Sequence, residues 1–298
     1  MTARISWELY RSFLAVLTEG SLSGAARALD IAQPTVGRHV AALERSLGTP
    51  LFTRSQTGLR PMESALSLRT YAEAMSNSVA ALERAAASQG SGVHGVVRVT
   101  ASEVIGVEVL PAIVAQLREE HPNLQVELVL SNRMQDLLQR EADIAVRMAR
   151  PTHKLLIARR IGHIGLGLHA TKQYVKRCGA PETIADLQQH ALIGFDQPTA
   201  FIRAAGKSLP ALQREAFAMR ANSDLAQLAL IRSGAGIGVC QVAIATRDGL
   251  ARVLRKQFSL LLDTWIVMHE DLRNSPRCRA TFDALVKGLQ EHAAAGTR

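Results

Sequence analysis

The spacing of apolar residues in the first fifty positions predicts three consecutive helices. Apolar residues recur at helical intervals from Trp7 onward, so a first amphipathic helix ends near Gly20. Ser23 is expected to cap a short second helix. After a tight connection, Pro34 fits only the first turn of a third helix. Gly48 should end that helix, because glycine readily adopts the left-handed backbone of a helix C-terminus.

The third helix separates an apolar stripe from a polar face. The stripe comprises Val36, Val40, Leu43 and Leu47, and the residues expected to face outward are Thr35, Arg38, His39, Ala42 and Arg45. A short helix, a tight turn and a helix with a polar N-terminal end are typical of a helix-turn-helix, which inserts that end into the major groove of DNA. There Gln33, Thr35, Arg38 and His39 could reach base edges or phosphates. A small helical bundle with a solvated polar face fits the same spacing, so both interpretations stay open here.

The next segment, TPLFTRSQTGLRP, predicts a β-hairpin. Short apolar, strand-like pieces flank a Gln-Thr-Gly turn, and Arg54 and Arg60 lie at the two ends. Such a hairpin would act as a wing whose arginines contact phosphates, where charge matters more than base sequence.

A heptad pattern follows the hairpin. From Ala65 to Ala86 the apolar positions alternate in steps of three and four. Strict alternation favours pairing with a second helix, although a helix packed on its own domain could show the same stripe. The residues expected to mediate dimerisation are Leu68, Ala72, Met75, Val79 and Leu82. Residues 88–95 then have the composition of a flexible hinge.

The second half of the chain alternates strand-like and helical segments, which predicts a parallel sheet with crossover helices. A short helix is expected from Met134 to Arg140, and a last helix near Arg277 to His292. Ligands in such sheets bind beyond the carboxyl ends of the strands, against helix N-termini. Two places match, one at residues 100–102 and one at residues 222–224. Ordinary helix capping is the favoured explanation for each of them taken alone.

Charge adds one expectation about the ligand. The chain has a formal net charge of +9, but residues 1–95 hold nine Arg and seven acidic residues, so overall basicity does not locate a DNA-binding part. Between Asp143 and Glu182 there is no acidic residue but there are eight basic ones: Arg147, Arg150, Lys154, Arg159, Arg160, Lys172, Lys176 and Arg177. A basic rim would attract an anion, and Arg147 is placed best to touch one.

Composition and motifs argue against several protein classes. No apolar run approaches the roughly 20 residues that cross a bilayer, and no secretory signal is visible, so we expect a cytoplasmic protein with no membrane partner. Three separated cysteines fit reduced thiols, with a redox role for Cys178 as the alternative to an inert thiol. The glycines at 234, 236 and 238 have the wrong spacing for a nucleotide loop. His163 and His169 lie too far apart along a strand for one metal. We therefore predict no catalysis, no cofactor and no metal site.

The N-terminal stretch SLSGAARALDIAQPTVGRHVAALERSLGTPLFTR resembles the winged helix-turn-helix of LysR-type transcriptional regulators. The matching residues are Ser21, Ser23, Ala25, Ala26, Gln33, Pro34, Leu43, Glu44, Leu47, Gly48, Leu51, Phe52 and Arg54. Ala32 replaces a Ser that would cap the third helix, at a cost of about 1 kcal/mol. Gly37 stands where a serine commonly contacts DNA, and residues 61–65 depart from the usual start of the following helix.

Residues 93–298 look like the effector-binding domain of the same family. The resemblance implies an α/β fold with an N-terminal winged helix-turn-helix and a two-lobed, Rossmann-like effector domain similar to periplasmic solute-binding proteins. The implied divisions are a DNA-binding domain at 1–62, a linker helix at 63–87, a hinge at 88–95 and an effector domain at 96–298, with lobe I at about 96–162 and 265–298 and lobe II at about 163–264.

The family also implies sites and partners. DNA contacts are expected from Ser23, Gln33, Pro34, Thr35, Arg38, His39, Arg54 and Arg60, and effector contacts from Thr100, Ser102, Arg147, Phe195, Asn222, Ser223 and Asp224. The expected partners are double-stranded DNA, a small and anionic effector, RNA polymerase, and further copies of the chain in a homodimer or homotetramer. A regulator that needs no ligand is an alternative. A solute-binding transport protein fits the second half but lacks the export signal.

Overall fold

The computed structural model describes residues 5–55, 58–86, 92–132, 142–148, 150–151, 156–197 and 212–296. The helix expected from Met134 to Arg140 and much of the expected hinge at 88–95 lie outside these ranges. The chain forms two compact units: the described residues from 5 to 86 belong to the first, and those from 92 onward belong to the second.

The first unit begins with the three expected helices. They are α1 (Trp7–Glu19), α2 (Leu22–Leu29) and α3 (Gln33–Leu47). Gly20 and Gly48 end α1 and α3 in the left-handed conformation, as the sequence predicted. The capping of α2 differs from the prediction. Ser21, whose backbone is extended, accepts the amide of Gly24, so Ser23 lies inside the helix.

The apolar stripe of α3 forms the core of this unit. Val36 and Leu43 are fully buried, and they pack against residues of α1, α2 and the hairpin. Ala32 at the start of α3 provides no side-chain cap, in agreement with the departure noted in the sequence. The amide groups of the first helical turn are therefore left without a capping side chain.

The predicted hairpin is present as β1 (Phe52–Ser55) and β2 (Gly58–Pro61), which pair antiparallel. Glu44 of α3 accepts the amide of Leu51 at 2.7 Å, which ties the hairpin to the helix. At the turn, Gly58 has a φ of 133°, and a Cβ there would lie 2.7 Å from the carbonyl oxygen of Gly20. Only glycine fits this approach.

The heptad segment forms one long helix, α4 (Glu63–Ala86). The first half of its apolar stripe packs inside the first unit. Ala65 and Ala72 are buried with Phe13 and Leu43 in the core, and Leu68 packs against that core. The expectation that Leu68 and Ala72 mediate dimerisation stays a prediction, with Ala72 already only 2% exposed within the first unit. The stripe is shared between an intradomain core and an exposed continuation, where Met75 and Leu82 are 38% and 67% exposed.

The second unit contains, within its described residues, a nine-stranded sheet with helices packed against it. Its strands are β3 (Gly95–Ala101), β4 (Leu124–Leu130), β5 (Ile144–Arg147), β6 (Leu156–Ala170), β7 (Leu192–Phe195), β8 (Met219–Ala221), β9 (Ile237–Gln241), β10 (Ala251–Val253) and β11 (Leu260–His269). The helices are α5 (Glu103–Glu108), α6 (Leu110–Glu120), α7 (Lys172–Cys178), α8 (Asp224–Arg232), α9 (Val242–Arg247) and α10 (Pro276–Ala295).

The sheet is mixed rather than wholly parallel. The strand order is β4-β3-β5-β11-β6-β9-β7-β8, with β10 beside β6. The two groups β4-β3-β5 and β9-β7-β8 are parallel, as predicted, but β6 and β11 run antiparallel to their neighbours and join the groups. Long returning strands of this kind carry no crossover helix, so alternation of strands and helices could not reveal them.

Separate hydrophobic cores define two lobes. Lobe I is the part around β3, β4 and β5, where Ile105, Leu110 and Leu285 are buried together. Lobe II is the part around β7, β8 and β9, with cores that include Leu187 and Ile231. The chain crosses between them on β6 and β11, whose pairing register shifts between Thr264 and Trp265.

Candidate functional site

The N-terminal end of α3 presents polar groups to solvent. Gln33, Pro34 and Arg38 are exposed, and the Arg38 guanidinium donates to the hydroxyl of Thr35 at 3.2 Å. The N-terminal end of a helix carries partial positive charge, which favours phosphate oxygens. Four of the predicted DNA contacts thus lie together at one helix tip.

His39 does not face outward as the sequence suggested. Its ring is half-buried, and Nδ1 lies 2.8 Å from the hydroxyl of Ser12, which is itself only 1% exposed. The ring links α3 to α1, one turn after the helix tip. Ser23, by contrast, is exposed in the first turn of α2, because Ser21 caps that helix in its place.

The hairpin supplies a second basic position. Arg60 is exposed on β2, opposite Thr53 of β1. Among the ion pairs found in the described part of the chain, none involves Arg38 or Arg60. Both guanidinium groups are therefore available to phosphates. The side chain of Arg54 lies outside the described part.

In the second unit, two of the predicted effector residues meet at the ends of parallel strands. Thr100 near the end of β3 is fully buried, and Arg147 ends β5. The Arg147 Nη2 donates to the Thr100 Oγ1 at 3.3 Å, and Nη1 donates to the carbonyl of Val146. The rule that ligands lie at the carboxyl ends of strands predicted Thr100, whereas Arg147 was expected from the basic run and from the family resemblance.

The start of α8 in lobe II touches the start of α5 in lobe I. Ser223 caps α8 by accepting the amide of Ala226, and its hydroxyl donates to Glu103 Oε2 at 3.2 Å. The Asn132 side chain donates to Asp224 at 3.2 Å and accepts the amide of Glu103. We call Glu103, Asn132, Ser223 and Asp224 the interlobe polar cluster.

Glu103 and Asn132 were missed by the sequence analysis. Asn132 comes soon after β4, whose parallel neighbour β3 ends at Ala101, so the strand-end rule would have found it. Nothing in the sequence indicated Glu103, because its contact with Ser223 spans 120 positions. Ser102, which precedes Glu103, lies at the start of α5 and makes no side-chain cap there.

The interlobe polar cluster combines two carboxylates with two neutral hydrogen-bonding side chains. Loss of water around the Asp224 carboxylate and the negative charge of Glu103 raise its pKa, while the hydrogen bond from Asn132 opposes this shift. A carboxylate in such surroundings gains from any added hydrogen-bond donor. The predicted effector region therefore holds two carboxylates as well as the Arg147 guanidinium, and an anion is only part of the chemistry that fits.

The remaining predicted effector residues are placed differently. Phe195 ends β7 and packs edge-on against Phe217, with ring centroids 5.1 Å apart, on the margin of the lobe II core. Asn222 is exposed just before the interlobe polar cluster.

The basic run does not converge on one rim. Arg160 pairs with Asp263 at 2.8 Å, Arg177 stacks on Tyr174, and Arg150 stacks on Trp265. Lys154 lies outside the described residues. Arg147 is the member of the run that contacts a second predicted effector residue.

One histidine of the second unit packs against a cysteine in the interior. His169 is buried, with its Nδ1 3.3 Å from the sulfur of Cys240. Burial lowers the pKa of His169 to about 4 and raises that of the Cys240 thiol to about 12. A protonated, buried thiol is a poor nucleophile. Over the residues that the structure describes, no group of three or more His, Cys, Asp or Glu side chains could hold a metal ion. The described helices also include none that is both long and apolar enough to span a membrane.

Comparison with known proteins gives two family matches. Residues 7–66 match the bacterial regulatory helix-turn-helix protein, lysR family, and residues 90–290 match the LysR substrate binding domain. An HTH-type transcriptional regulator of Xanthomonas campestris is 28% identical over 183 residues, which cover 61% of this chain and 53% of that protein. The matched region thus spans about half the length of this relative.

Solved structures extend the likeness to nearly the whole chain. CrgA, a LysR-type transcriptional regulator from Neisseria meningitidis, is 25% identical with a TM-score of 0.57, covering 95% of this chain and 98% of CrgA. CbnR in complex with its target DNA has a TM-score of 0.67 at 19% identity, covering 97% of this chain and 100% of CbnR. At this identity the second likeness concerns the fold alone.

Proposed function

Because the chain belongs to the LysR family of bacterial helix-turn-helix regulators, we propose that it is a transcriptional regulator that binds double-stranded DNA and senses a small effector. The observation that carries the proposal is the exposed, uncapped tip of α3 with Arg38 at its surface, beside a wing that presents Arg60. Its activity is regulatory rather than catalytic, and its compartment is the cytoplasm.

In this proposal α3 enters the major groove. Gln33 and Thr35 at the tip read base edges, while Arg38 and the wing arginines hold phosphates. Residues 1–62 act as the DNA-binding domain, and 63–87 as the linker helix that follows it. CbnR, which has a similar fold, has been solved in complex with its target DNA, and this supports DNA binding by a chain of the same fold.

Homodimers or homotetramers form through the exposed part of α4. Tyr71, Met75 and Leu82 are apolar or aromatic and exposed, and they fall within one narrow face of the helix. Val79 lies beside them and is half-buried. A second copy would cover this face and place two winged domains on two half-sites. Contact with RNA polymerase is proposed as the route from DNA binding to transcription.

The effector binds at the carboxyl ends of β3 and β5, next to the interlobe polar cluster. Arg147, Thr100 and Ser102 suit a carboxylate or similar anion on the ligand. The carboxylates of Glu103 and Asp224 suit a donor group elsewhere on the same molecule. The effector would be enclosed in a cleft between the two lobes, lobe I at about 96–162 and 265–298 and lobe II at about 163–264.

A regulator without a ligand is the second candidate, and one observation favours it. Ser223 and Asp224 already contact Glu103 and Asn132 across the lobes, so the chain's own side chains occupy part of the polar surface of the cleft. Ligand response would then be absent even though DNA binding is specific.

The test is to incubate the purified protein with sheared DNA from its own genome and to sequence the fragments retained at moderate salt. Discrete enriched sites support the proposal, and their loss in Arg38→Ala assigns the contact to α3. Arg279→Ala is a matched control, because Arg279 lies on α10 and is exposed. Uniform retention that vanishes with salt would reduce the interaction to phosphate attraction and contradict the proposal.

A further inference from the structure

The short helix α5 joins the two lobes at both of its ends. It belongs to the chain of lobe I, yet Val104 in its first turn packs against the lobe II core around Leu228 and Ile231. At its start, Glu103 accepts the hydroxyl of Ser223 from the start of α8. At its end, Glu108 meets Arg232 from the end of α8. The two helices therefore lie side by side with their starts and their ends connected.

The contact at the end of α5 is a network of four charged residues. Arg232 donates two bonds to the Glu108 carboxylate, at 2.8 and 2.7 Å, and a third to Asp248 at 2.8 Å. Arg247 also contacts the Glu108 carboxylate, and it donates to Asp248 at 2.9 Å and to the Glu108 carbonyl at 2.9 Å. Glu108 is the only lobe I residue of this group, which we call the α5 clamp.

The α5 clamp is largely shielded from water on its acidic side. The side chains of Glu108 and Asp248 are 11% and 18% exposed. Hydrogen bonds from Arg232 and Arg247 lower the pKa of Glu108 to about 2 against the opposing effect of burial. The carboxylate is therefore charged over the whole physiological range. Two guanidinium groups balance two carboxylates, and a forked pair of bonds fixes their geometry as well as their distance.

The clamp is separate from the strands on which the chain crosses between the lobes. Those strands are β6 and β11, and their pairing is irregular between Thr264 and Trp265. Gly162, opposite Thr264, has a φ of 138°. An irregular two-strand crossing tolerates a change of angle, whereas a charged network at a second point of contact restricts it.

We propose that the α5 clamp sets the angle between the lobes and thereby the width of the effector cleft at the other end of α5. Replacing one partner removes part of the counter-charge that holds the shielded network together, and the lobes then sample a wider range of angles. The restriction of the interlobe angle by the α5 clamp concerns only the fold of the second unit. Its consequence for effector response rests on the proposed function.

The experiment measures the distance between the lobes by pulsed electron paramagnetic resonance on the full chain. One spin label is attached to exposed Cys178 of α7, and the other to Glu119→Cys on exposed α6, while Cys240 and Cys278 are buried. Labelled chains are diluted with excess unlabelled chains so that distances between copies do not contribute. Glu108→Gln and Arg232→Gln should each widen the distance distribution, by roughly twofold. The double variant should widen it no further than Glu108→Gln alone, because Glu108 is the lobe I partner of both arginines, whereas Arg232→Gln leaves the contact between Arg247 and Glu108 in place.

Asp283→Asn is the matched control, because its partner Arg279 is 4.0 Å away and both side chains are exposed. It should leave the distribution unchanged. Equal widths in the parent, Glu108→Gln and Arg232→Gln, with unchanged circular dichroism, would overturn the proposal. If Glu108→Gln fails to fold, Arg247→Gln tests the same network from its exposed side and should widen the distribution less. No DNA or effector is present, so this result stands apart from the proposed function.

Discussion

The hydroxyl of Ser12 and the Nδ1 of His39 lie 2.8 Å apart, which holds α3 against α1 one turn behind the helix tip. Ser12 is buried, so this bond is sheltered from water. The helix that is proposed to enter DNA is thus anchored by one of the residues expected to read it. Anchoring of this kind fixes the angle at which Gln33 and Thr35 are presented.

Removing this anchor should cost stability. Ser12→Ala and His39→Ala should each lower the free energy of unfolding of the first unit, and the double variant should cost less than their sum, with a coupling of about 1 kcal/mol. Urea unfolding of the four proteins measures the coupling. Strictly additive losses would mean that the bond contributes nothing. Thr18→Ala, which removes an exposed hydroxyl bond to Leu14 on the same helix, is the comparison.

Gly37 inside α3 and Gly48 at its end should respond in opposite directions to replacement by alanine. At Gly37 a Cβ would lie 3.7 Å from Leu22, an ordinary contact, so Gly37→Ala should stabilise the helix by about 1 kcal/mol. Gly48 has a φ of 67°, so Gly48→Ala should destabilise by a similar amount, about 1 kcal/mol. Thermal unfolding of both variants checks the signs. A loss of stability in Gly37→Ala would indicate crowding that the structure does not contain.

The winged domain could be predicted from the sequence because its signals are local. Helical periodicity, a proline in a first turn and glycines at helix ends each act within a few residues. The exceptions concern choices between near neighbours. Ser21 and Ser23 are both capping residues, and the extended backbone of Ser21 decided between them. The apolar heptad pattern of α4 is present on the helix, but periodicity does not say which surface the pattern covers. Ala72 packs inside its own domain.

The second unit was less predictable because its important contacts are distant in sequence. Thr100 and Ser223 were found by a rule about strand ends. Glu103 and Glu108 were not, since their partners lie more than a hundred positions away and no pattern connects them. The antiparallel course of β6 likewise depends on pairing with β11. The basic run suggested a rim, but its residues contact different partners. Arg160, for example, pairs with Asp263.

Arg147→Ala should abolish ligand response and spare DNA binding. The guanidinium is bonded to Thr100 at the proposed site, far in sequence from the winged domain. Thermal shifts with a library of small carboxylates measure ligand binding, and retention of the enriched genomic sites measures DNA binding. Arg159→Ala is a suitable control, since Arg159 is an exposed member of the same basic run. Loss of both activities in Arg147→Ala would remove this assignment.

Stability should fall in mild acid because of His169. Burial lowers its pKa to about 4 from an ordinary value of 6.5, with the charge of Arg252 acting in the same direction. Between these two values the unfolded chain takes up a proton that the native chain refuses, so the free energy of unfolding decreases as pH falls, by at most roughly 3 kcal/mol. Above pH 7 the group has no effect.

Urea unfolding at pH 7.5, 5.5 and 4.5 measures this slope. His169→Gln should flatten it, whereas His163→Gln should not, because His163 is 43% exposed. A slope that is unchanged by His169→Gln would place the acid sensitivity in other groups. The Glu108 carboxylate, whose pKa is lowered from 4.5 to about 2, adds to the slope only near pH 4.5, where the unfolded chain begins to take up its proton.

The apolar stripe of α4 is buried at one end and exposed at the other, so the same substitution by aspartate should have different effects at the two ends. Leu82 is 67% exposed, so Leu82→Asp should weaken association between copies while the winged domain stays folded. Ala72 is 2% exposed, so Ala72→Asp should bury a charge and unfold that domain. Light scattering after size exclusion reports the mass, and circular dichroism reports the fold. If Leu82→Asp kept the parent's mass at low concentration, α4 would not be the pairing surface. If Ala72→Asp stayed folded but dissociated, the first half of the stripe would belong to the interface after all.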